Sequence, residues 1–233
     1  QRSSAASDVY KRQILDEKKL IRNKYEITLP LREVRNSLKL NKGDHIANAD
    51  LLDLMRRVRC FGINLARLDI RQEADRHSKL LNELFRKKYN IKYNSLSEKE
   101  KIKLLNKSIK EKKYFVDRIK ITDKENKEVW NTFKQISKSP NECLGAYVIS
   151  MTSKASDILS VYFLQIQAQI KNFLRVVPLF ETLDDLKNAN SVMKNLFKLS
   201  WYRKMTSAKQ EVMIGYSDSS LSLIHISEPT RRT

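Results

Sequence analysis

The spacing of the apolar residues changes several times along the chain, and each change predicts a different element. Residues 50–59 place apolar side chains at every third or fourth position, which is typical of a helix with one buried face. Residues 61–70 are mostly apolar and begin with an alternation of period two, so we expect a β-strand there. That strand would end in the abruptly polar segment 69–73.

Residues 74–140 predict a long helical excursion. Ser97 and Glu100 form an S-x-x-E capping box, which marks the start of a helix. A second helical pattern ends just before Pro140, because the residue before a proline is disfavoured in the helical conformation. Most of the surplus lysine lies in this excursion, on what we expect to be its outward faces.

From residue 144 onwards, strand-like and helix-like segments alternate. The strand-like segments are 144–150, 173–180 and 211–216, and the helical ones are 153–171 and 183–199. Pro178 predicts an irregularity near the exit of the second of these strands. Strands joined by helices form right-handed βαβ units and hence a parallel sheet. Strands as apolar as these are covered on both faces.

Two parallel architectures fit this alternation, a doubly wound sheet and a (β/α) barrel. No glycine-rich phosphate loop follows any predicted strand, and the whole chain contains 4 glycines, which disfavours a dinucleotide-binding fold. We therefore predict an α/β fold, namely a partial (β/α) barrel of the TIM type with about four parallel strands. The large helical excursion makes the chain predominantly helical overall.

Composition narrows the choice of function. Apolar residues make up 41% of the chain and charged residues 31%, which suits a globular domain. The formal net charge of +19 is typical of proteins that bind nucleic-acid phosphates. The basic stretches, however, also contain Glu and Asp and carry no nucleic-acid-binding motif, so we interpret them as solvated helix faces and predict no nucleic-acid partner.

Cysteine usage and hydropathy indicate the compartment. Cys60 and Cys143 are too far apart in sequence to suggest a metal motif, and two cysteines in a chain of this length do not form a disulfide scaffold. No apolar run approaches the length that crosses a bilayer. We predict a soluble, cytoplasmic protein without a membrane partner.

The two ends differ from the interior in composition. Residues 1–13 and 221–233 use arginine in preference to lysine, whereas the interior prefers lysine. An ordinary disordered terminus is the alternative explanation. We interpret both ends as foreign sequence, and predict one partial barrel domain over residues 14–220 that includes the helical excursion 74–140.

Charged residues stand at three of the predicted strand ends. Asp69 and Arg71 close the first strand, and Glu181 and Asp218 follow the last two. Functional groups collect at the carboxyl ends of parallel strands, and two carboxylates with open positions suit Mg²⁺ or Mn²⁺. Arg71 would offer a planar fork to a phosphate or a carboxylate. Alternatively, these are turn or helix-cap residues, as Asp218 would be in an Asx-turn.

Four blocks of the sequence resemble phosphoenolpyruvate carboxylases, in the order in which that family carries them. The blocks are CFGINLARLDIRQEADRH, AYVISMTSKASDILSVYFL, VVPLFETLDDLKNANSVMKNLF followed by WYRKM, and QEVMIGYSDSS. The resemblance extends over residues 14–220 and is weakest in the lysine-rich excursion. It implies a fragment of the lyase that carboxylates phosphoenolpyruvate with bicarbonate to give oxaloacetate and phosphate, an anaplerotic supply to the tricarboxylic acid cycle.

The resemblance also implies roles for individual residues. Glu181 and Asp218 match the family's ligands for Mg²⁺ or Mn²⁺, and Arg71 matches an arginine that contacts the bound substrate. Leu179 and Met213 match apolar residues that line the pocket for the substrate's methylene group, although plain core positions would explain them equally well. The resemblance further implies that the full-length enzyme is a homotetramer that binds phosphoenolpyruvate and bicarbonate.

The chain departs from the family pattern at two places. The family's T-A-H-P-T-E histidine motif is absent, and Leu221 stands where the family has a catalytic lysine. No complete catalytic set is therefore expected, and we predict that the fragment has no carboxylase activity by itself. Two other interpretations stay open at this point: another metal-dependent barrel enzyme that uses phosphoenolpyruvate or pyruvate, and a basic helical protein that binds nucleic acid.

Overall fold

A computed structural model describes residues 21, 23–64 and 66–215, the side chain of residue 141 excepted. Contacts divide the chain into two units, residues 1–67 with 140–143 and residues 68–139 with 144–233. The foreign ends predicted at 1–13 and 221–233 lie outside the described residues, and that division of the chain stays a prediction. None of the helices described is both long and apolar enough to cross a bilayer.

The first unit is helical. Its helices are α1 (Tyr25–Leu40), α2 (Asp44–Asn48) and α3 (Asp50–Phe61), and Asn141–Cys143 form a short 3₁₀ turn. Arg35 ties α1 to α2, because its Nε donates to the Ala47 carbonyl at 3.0 Å and its Nη2 to Asn48 Oδ1 at 2.8 Å. The helix predicted at 50–59 is confirmed as α3, and Val58 is buried on its inner face.

The strand predicted at 61–70 is misplaced. Phe61 is the last residue of α3, and Gly62 follows with a φ of 68°, a left-handed conformation that glycine adopts without strain and that ends the helix. The strand begins instead at Leu68 and ends at Glu73. The apolar alternation after Phe61 therefore belongs to the connection, of which Leu65 lies outside the described residues.

The described part of the second unit alternates strands with helices. The strands are β1 (Leu68–Glu73), β2 (Leu144–Ser150), β3 (Arg175–Phe180) and β4 (Met213–Ile214). The helices are α4 (Ala74–Tyr89), α5 (Glu98–Glu111), α6 (Lys124–Lys138), α7 (Ala155–Gln167), α8 (Leu183–Phe197) and α9 (Ser200–Met205), with 3₁₀ turns at Tyr93–Ser95 and Val116–Arg118. The predicted strands at 144–150 and 173–180 are confirmed, while the one predicted at 211–216 is described over two residues.

All strand pairs are parallel, and the sheet has the order β1-β2-β3-β4. Spatial order thus follows chain order, as in a (β/α) barrel, whereas a doubly wound sheet reverses its order at a switch point. The fold is α/β, with parallel strands alternating with helices and a mostly helical content, as predicted. The pairing of β2 with β3 is in continuous register from Ala146↔Arg175 and ends at Ile149↔Pro178, so the irregularity predicted near the exit of β3 stays a prediction.

The helices pack on one face of the sheet. Tyr147, Ile149, Val176 and Phe180 point to this face and join the main core. The excursion closes over α7 from the other side, where Phe85 of α4 stacks on Phe163 with 5.4 Å between ring centroids. Every residue of α7 is consequently buried, whereas a single apolar stripe was expected.

Two helix boundaries in the excursion, the start of α5 and the end of α6, agree with the sequence prediction. The capping box is present, since Ser97 N donates to Glu100 Oε2 at 2.8 Å and Glu100 N donates to Ser97 Oγ at 3.4 Å. α6 ends at Lys138, two residues before Pro140. The capping box and the proline therefore marked these helix boundaries, which apolar periodicity alone leaves open.

Candidate active site at the carboxyl ends of the strands

The second face of the sheet carries several of the residues that the sequence singled out. Ala146, Val148, Val177 and Leu179 are buried on it, and Met213 packs against them. We call this the inward face, because it lies opposite the helices. Leu179 and Met213, which the resemblance assigns to the substrate pocket, are direct register partners between β3 and β4.

Arg71 reaches across this face. Its Nη2 lies 3.6 Å from the thioether sulfur of Met213, although Arg71 is on β1 and Met213 on β4. Three strand spacings of about 4.8 Å would hold these strands roughly 14 Å apart in a flat sheet. Side chains that stand perpendicular to a flat sheet would not meet over that distance, so the contact indicates that the sheet curves around its inward face.

Glu181 lies one residue beyond β3, at the carboxyl end of the sheet. Its Oε2 accepts a hydrogen bond from the backbone N–H of Met151, at 3.0 Å. The exit of β4 passes close by, because Gly215 N donates to the Phe180 carbonyl at 3.0 Å. A Cβ added at Gly215 would lie 3.2 Å from Glu181 Cγ, so a glycine suits this close approach.

Asp218, the second predicted metal ligand, lies outside the described residues. Gly215, the last described residue, stands three positions before it and lies beside Glu181, since a Cβ added there would be 3.2 Å from Glu181 Cγ. Among the residues that the structure describes, no three His, Cys, Asp or Glu side chains converge as a complete metal centre would. Mg²⁺ is often held by one or two carboxylates plus water and substrate oxygens, so Glu181 fits such an ion as one of two ligands.

The comparison with known proteins gives the family. A model of the family described as phosphoenolpyruvate carboxylase matches residues 1–221. The chain belongs to the phosphoenolpyruvate carboxylase family. The family match favours the phosphoenolpyruvate carboxylase interpretation over the two alternatives, which were another barrel enzyme and a nucleic-acid-binding protein.

Curated phosphoenolpyruvate carboxylases agree with the family match. Those of Escherichia coli O1:K1, Escherichia coli strain K12 / DH10B and Shigella boydii serotype 18 are each 44% identical to this chain over 200 residues. The aligned part is 86% of this chain and 23% of each relative. The chain therefore spans about a quarter of the length of these phosphoenolpyruvate carboxylases, as a fragment would.

Asp69 has a structural role within this phosphoenolpyruvate carboxylase segment. The register between β1 and β2 shifts from Leu68↔Leu144 to Ile70↔Tyr147, which marks a β-bulge. Asp69 Oδ1 accepts from Ala146 N at 2.7 Å at this bulge. The sequence grouped Asp69 with Arg71 as a charged strand exit, but the carboxylate pairs with the backbone of the neighbouring strand.

The sequence patterns did not predict the loop that holds Glu181. Residues 151–154, which we call the β2 loop, connect β2 to α7. Met151 N donates to Glu181, and Thr152 N donates to the Leu179 carbonyl at 3.2 Å. Met151 has a φ of 55°, a conformation that no motif in the sequence announces for a methionine.

The other half of the β2 loop is held by Asp157. Its Oδ2 accepts from Ser153 N at 3.1 Å and from Lys154 N at 2.9 Å. Burial raises the pKa of Asp157 to about 6, against the opposing effect of these two N–H groups. Each backbone N–H of the β2 loop thus has an acceptor, and the loop is fixed at both ends.

Proposed function

We propose that this chain supplies the metal- and substrate-binding part of a phosphoenolpyruvate carboxylase. The reaction joins phosphoenolpyruvate and bicarbonate to give oxaloacetate and phosphate. The family match and the 44% identity to curated carboxylases support the reaction class. The full-length enzyme would act in the cytoplasm, and we keep the homotetramer as a proposal for it.

The contact between Arg71 and Met213 carries the proposal. It joins two residues that are distant in sequence and places a guanidinium beside the apolar surface of Leu179 and Met213. A cation beside an apolar patch matches phosphoenolpyruvate, which has an anionic phosphate and carboxylate and an apolar methylene carbon. Glu181 stands at the end of the same face, where a substrate would meet a metal ion.

Each of these side chains has a task in the proposed reaction. Arg71 binds an anionic group of the substrate with its planar fork. Leu179 and Met213 pack against the methylene carbon and exclude water from it. Excluding water matters because the carbon becomes nucleophilic when the phosphoryl group leaves, and a proton would quench it before carboxylation.

Glu181 and Asp218 are the proposed ligands of Mg²⁺ or Mn²⁺. The family generally uses Mg²⁺, and oxygen ligands with open coordination positions suit either ion. When bound, the ion would supply positive charge near the oxygens of the substrate that become more negative during the reaction. Glu181 would hold it at the carboxyl end of β3, next to the exit of β4.

The test removes the charge of one ligand and keeps its shape. In the full-length enzyme that carries this segment, we expect Glu181→Gln to lose Mn²⁺ binding, measured by electron paramagnetic resonance, and carboxylation, measured as oxaloacetate formation. Glu128→Gln is the matched control, because Glu128 pairs with Arg76 on the helical side of the unit at 2.8 Å. Unchanged Mn²⁺ affinity in Glu181→Gln would rule out the ligand role.

A further inference from the structure

The conformation of Met151 is unusual and lies next to the proposed metal ligand. Its φ of 55° is in the left-handed region, which non-glycine residues adopt at a cost. The Met151 side chain is 53% exposed, so side-chain packing does not account for this conformation. Some other interaction must hold the backbone there.

Thr152 provides that interaction. Its side chain is fully buried, and its Oγ1 donates to the Ile149 carbonyl at 2.8 Å. Its N–H donates to the carbonyl of Leu179, two residues before Glu181. Thr152 therefore fastens the β2 loop both to the strand before it and to the neighbouring strand that ends in Glu181.

We propose that Met151 and Thr152 are positioning residues for the metal site. In the left-handed conformation the Met151 N–H donates to Glu181 Oε2, which would hold the carboxylate in one orientation and leave Oε1 for the cation. This rests on the proposed function, which takes Glu181 as a ligand. Groups that hydrogen-bond to a metal ligand without contacting the metal commonly raise the affinity of the site for the metal, because the ligand is already in place when the metal binds.

The first experiment varies the backbone preference at Met151. Valine is branched at Cβ and disfavours a positive φ, whereas glycine adopts it freely and keeps the N–H. In the full-length enzyme we expect Met151→Val to weaken Mn²⁺ binding about tenfold, measured by electron paramagnetic resonance. Met151→Gly should stay within about a factor of two of the parent, because the conformation and the donor are both retained.

The second experiment removes the fastening hydroxyl. Thr152→Val keeps the shape of the side chain and loses its donor, and we expect Mn²⁺ binding to weaken about tenfold as well. Thr152→Ser restores the hydroxyl and should recover most of the affinity. A role in stability alone would change the unfolding temperature in these variants without changing the Mn²⁺ affinity of the folded enzyme.

The outcomes separate this inference from the proposed function. If Glu181→Gln abolishes Mn²⁺ binding while Met151→Val and Thr152→Val bind it as the parent does, positioning by the β2 loop is wrong and the ligand assignment stands. If Glu181→Gln binds Mn²⁺ normally, both are wrong. Should Thr152→Val fail to fold, the comparison of Met151→Val with Met151→Gly decides, because residue 151 is largely exposed.

Discussion

His77 is a buried histidine that the proposed chemistry does not use. Its Nε2 lies 2.8 Å from the Tyr147 hydroxyl, which donates in turn to Gln72 Oε1 at 2.8 Å. A tyrosine hydroxyl has one proton, so His77 must donate through Nε2–H in this pair. Burial lowers the pKa of His77 to about 3, and the positive charge of Arg76 adds to the effect.

This lowered pKa makes stability depend on pH. Between the unfolded value of 6.5 and the folded value of about 3, the unfolded chain binds a proton that the folded chain does not. The stability that neutral His77 contributes is therefore present above about pH 6.5 and is lost as the pH falls towards 3, by up to about 1.4 kcal/mol per pH unit. We expect His77→Gln to remove this part of the slope.

The measurement is the free energy of urea unfolding at about pH 7 and about pH 5, compared between parent and variant. His45→Gln serves as the control, because it makes the same substitution at an exposed histidine in the first unit. Equal slopes in the parent and His77→Gln would contradict the buried neutral state.

At the scale of elements, apolar pattern predicted the strands that are buried on both faces. β2 was predicted with its observed bounds because Leu144–Ser150 is a mostly apolar run rich in β-branched and aromatic residues, and its two faces meet the main core and the inward cluster. β1 was predicted seven residues early, since its inward positions are Asp69, Arg71 and Glu73. A strand with charged side chains on one of its faces cannot be recognised from an apolar run.

The side chains of the candidate site could be predicted from the sequence, but the loop conformation that holds one of them could not. The charged strand ends singled out Arg71 and Glu181, and the resemblance added Leu179 and Met213. The structure places Arg71, Leu179 and Met213 in one cluster with Glu181 at its end. The positive φ of Met151 had no signal, because it arises from contacts between strands rather than from a local motif. The capping box of Thr182 with Asp185 does have a sequence signal, T-x-x-D, although it was not among the predicted motifs.

The bulge between β1 and β2 gives a prediction at this scale. A Cβ at Gly145 would lie 2.2 Å from Asp69 Oδ1, so Gly145→Ala must displace the carboxylate that accepts from Ala146 N. We expect a loss of about 1–3 kcal/mol in the free energy of unfolding, because the carboxylate can move aside but then no longer accepts from the buried Ala146 N–H. Chemical denaturation of the variant would measure it.

A double-mutant cycle tests the cause. Asp69→Ala alone loses the hydrogen bond, but it also clears the space that the alanine at 145 needs. The combined Asp69→Ala and Gly145→Ala variant should therefore lose clearly less than the sum of the single losses. Additive losses would show that the clash with Asp69 is not what makes glycine necessary.

At the scale of the whole molecule, the described sheet has two open edges. β1 and β4 stand at the ends of the strand order, and the chain spans 23% of the length of its curated relatives. Leu68 on β1 is 67% exposed and Ile214 on β4 is 65% exposed. In a closed barrel both strands would pair with further strands, which would remove these edges.

We expect the isolated chain to associate with itself and to lack carboxylase activity. Unpaired strand edges with exposed apolar side chains pair readily with other chains, and the chain carries the proposed metal and substrate ligands without the family's histidine motif and lysine. Light scattering of the purified chain would measure the association, and oxaloacetate formation would measure the activity.

Combined Leu68→Lys and Ile214→Lys substitutions place a charge on each edge and should reduce the association. Tyr114→Lys, at an exposed site away from the strands, should not reduce it. A monomeric parent chain, or one that forms oxaloacetate, would mean that this segment closes its own sheet or completes its own site.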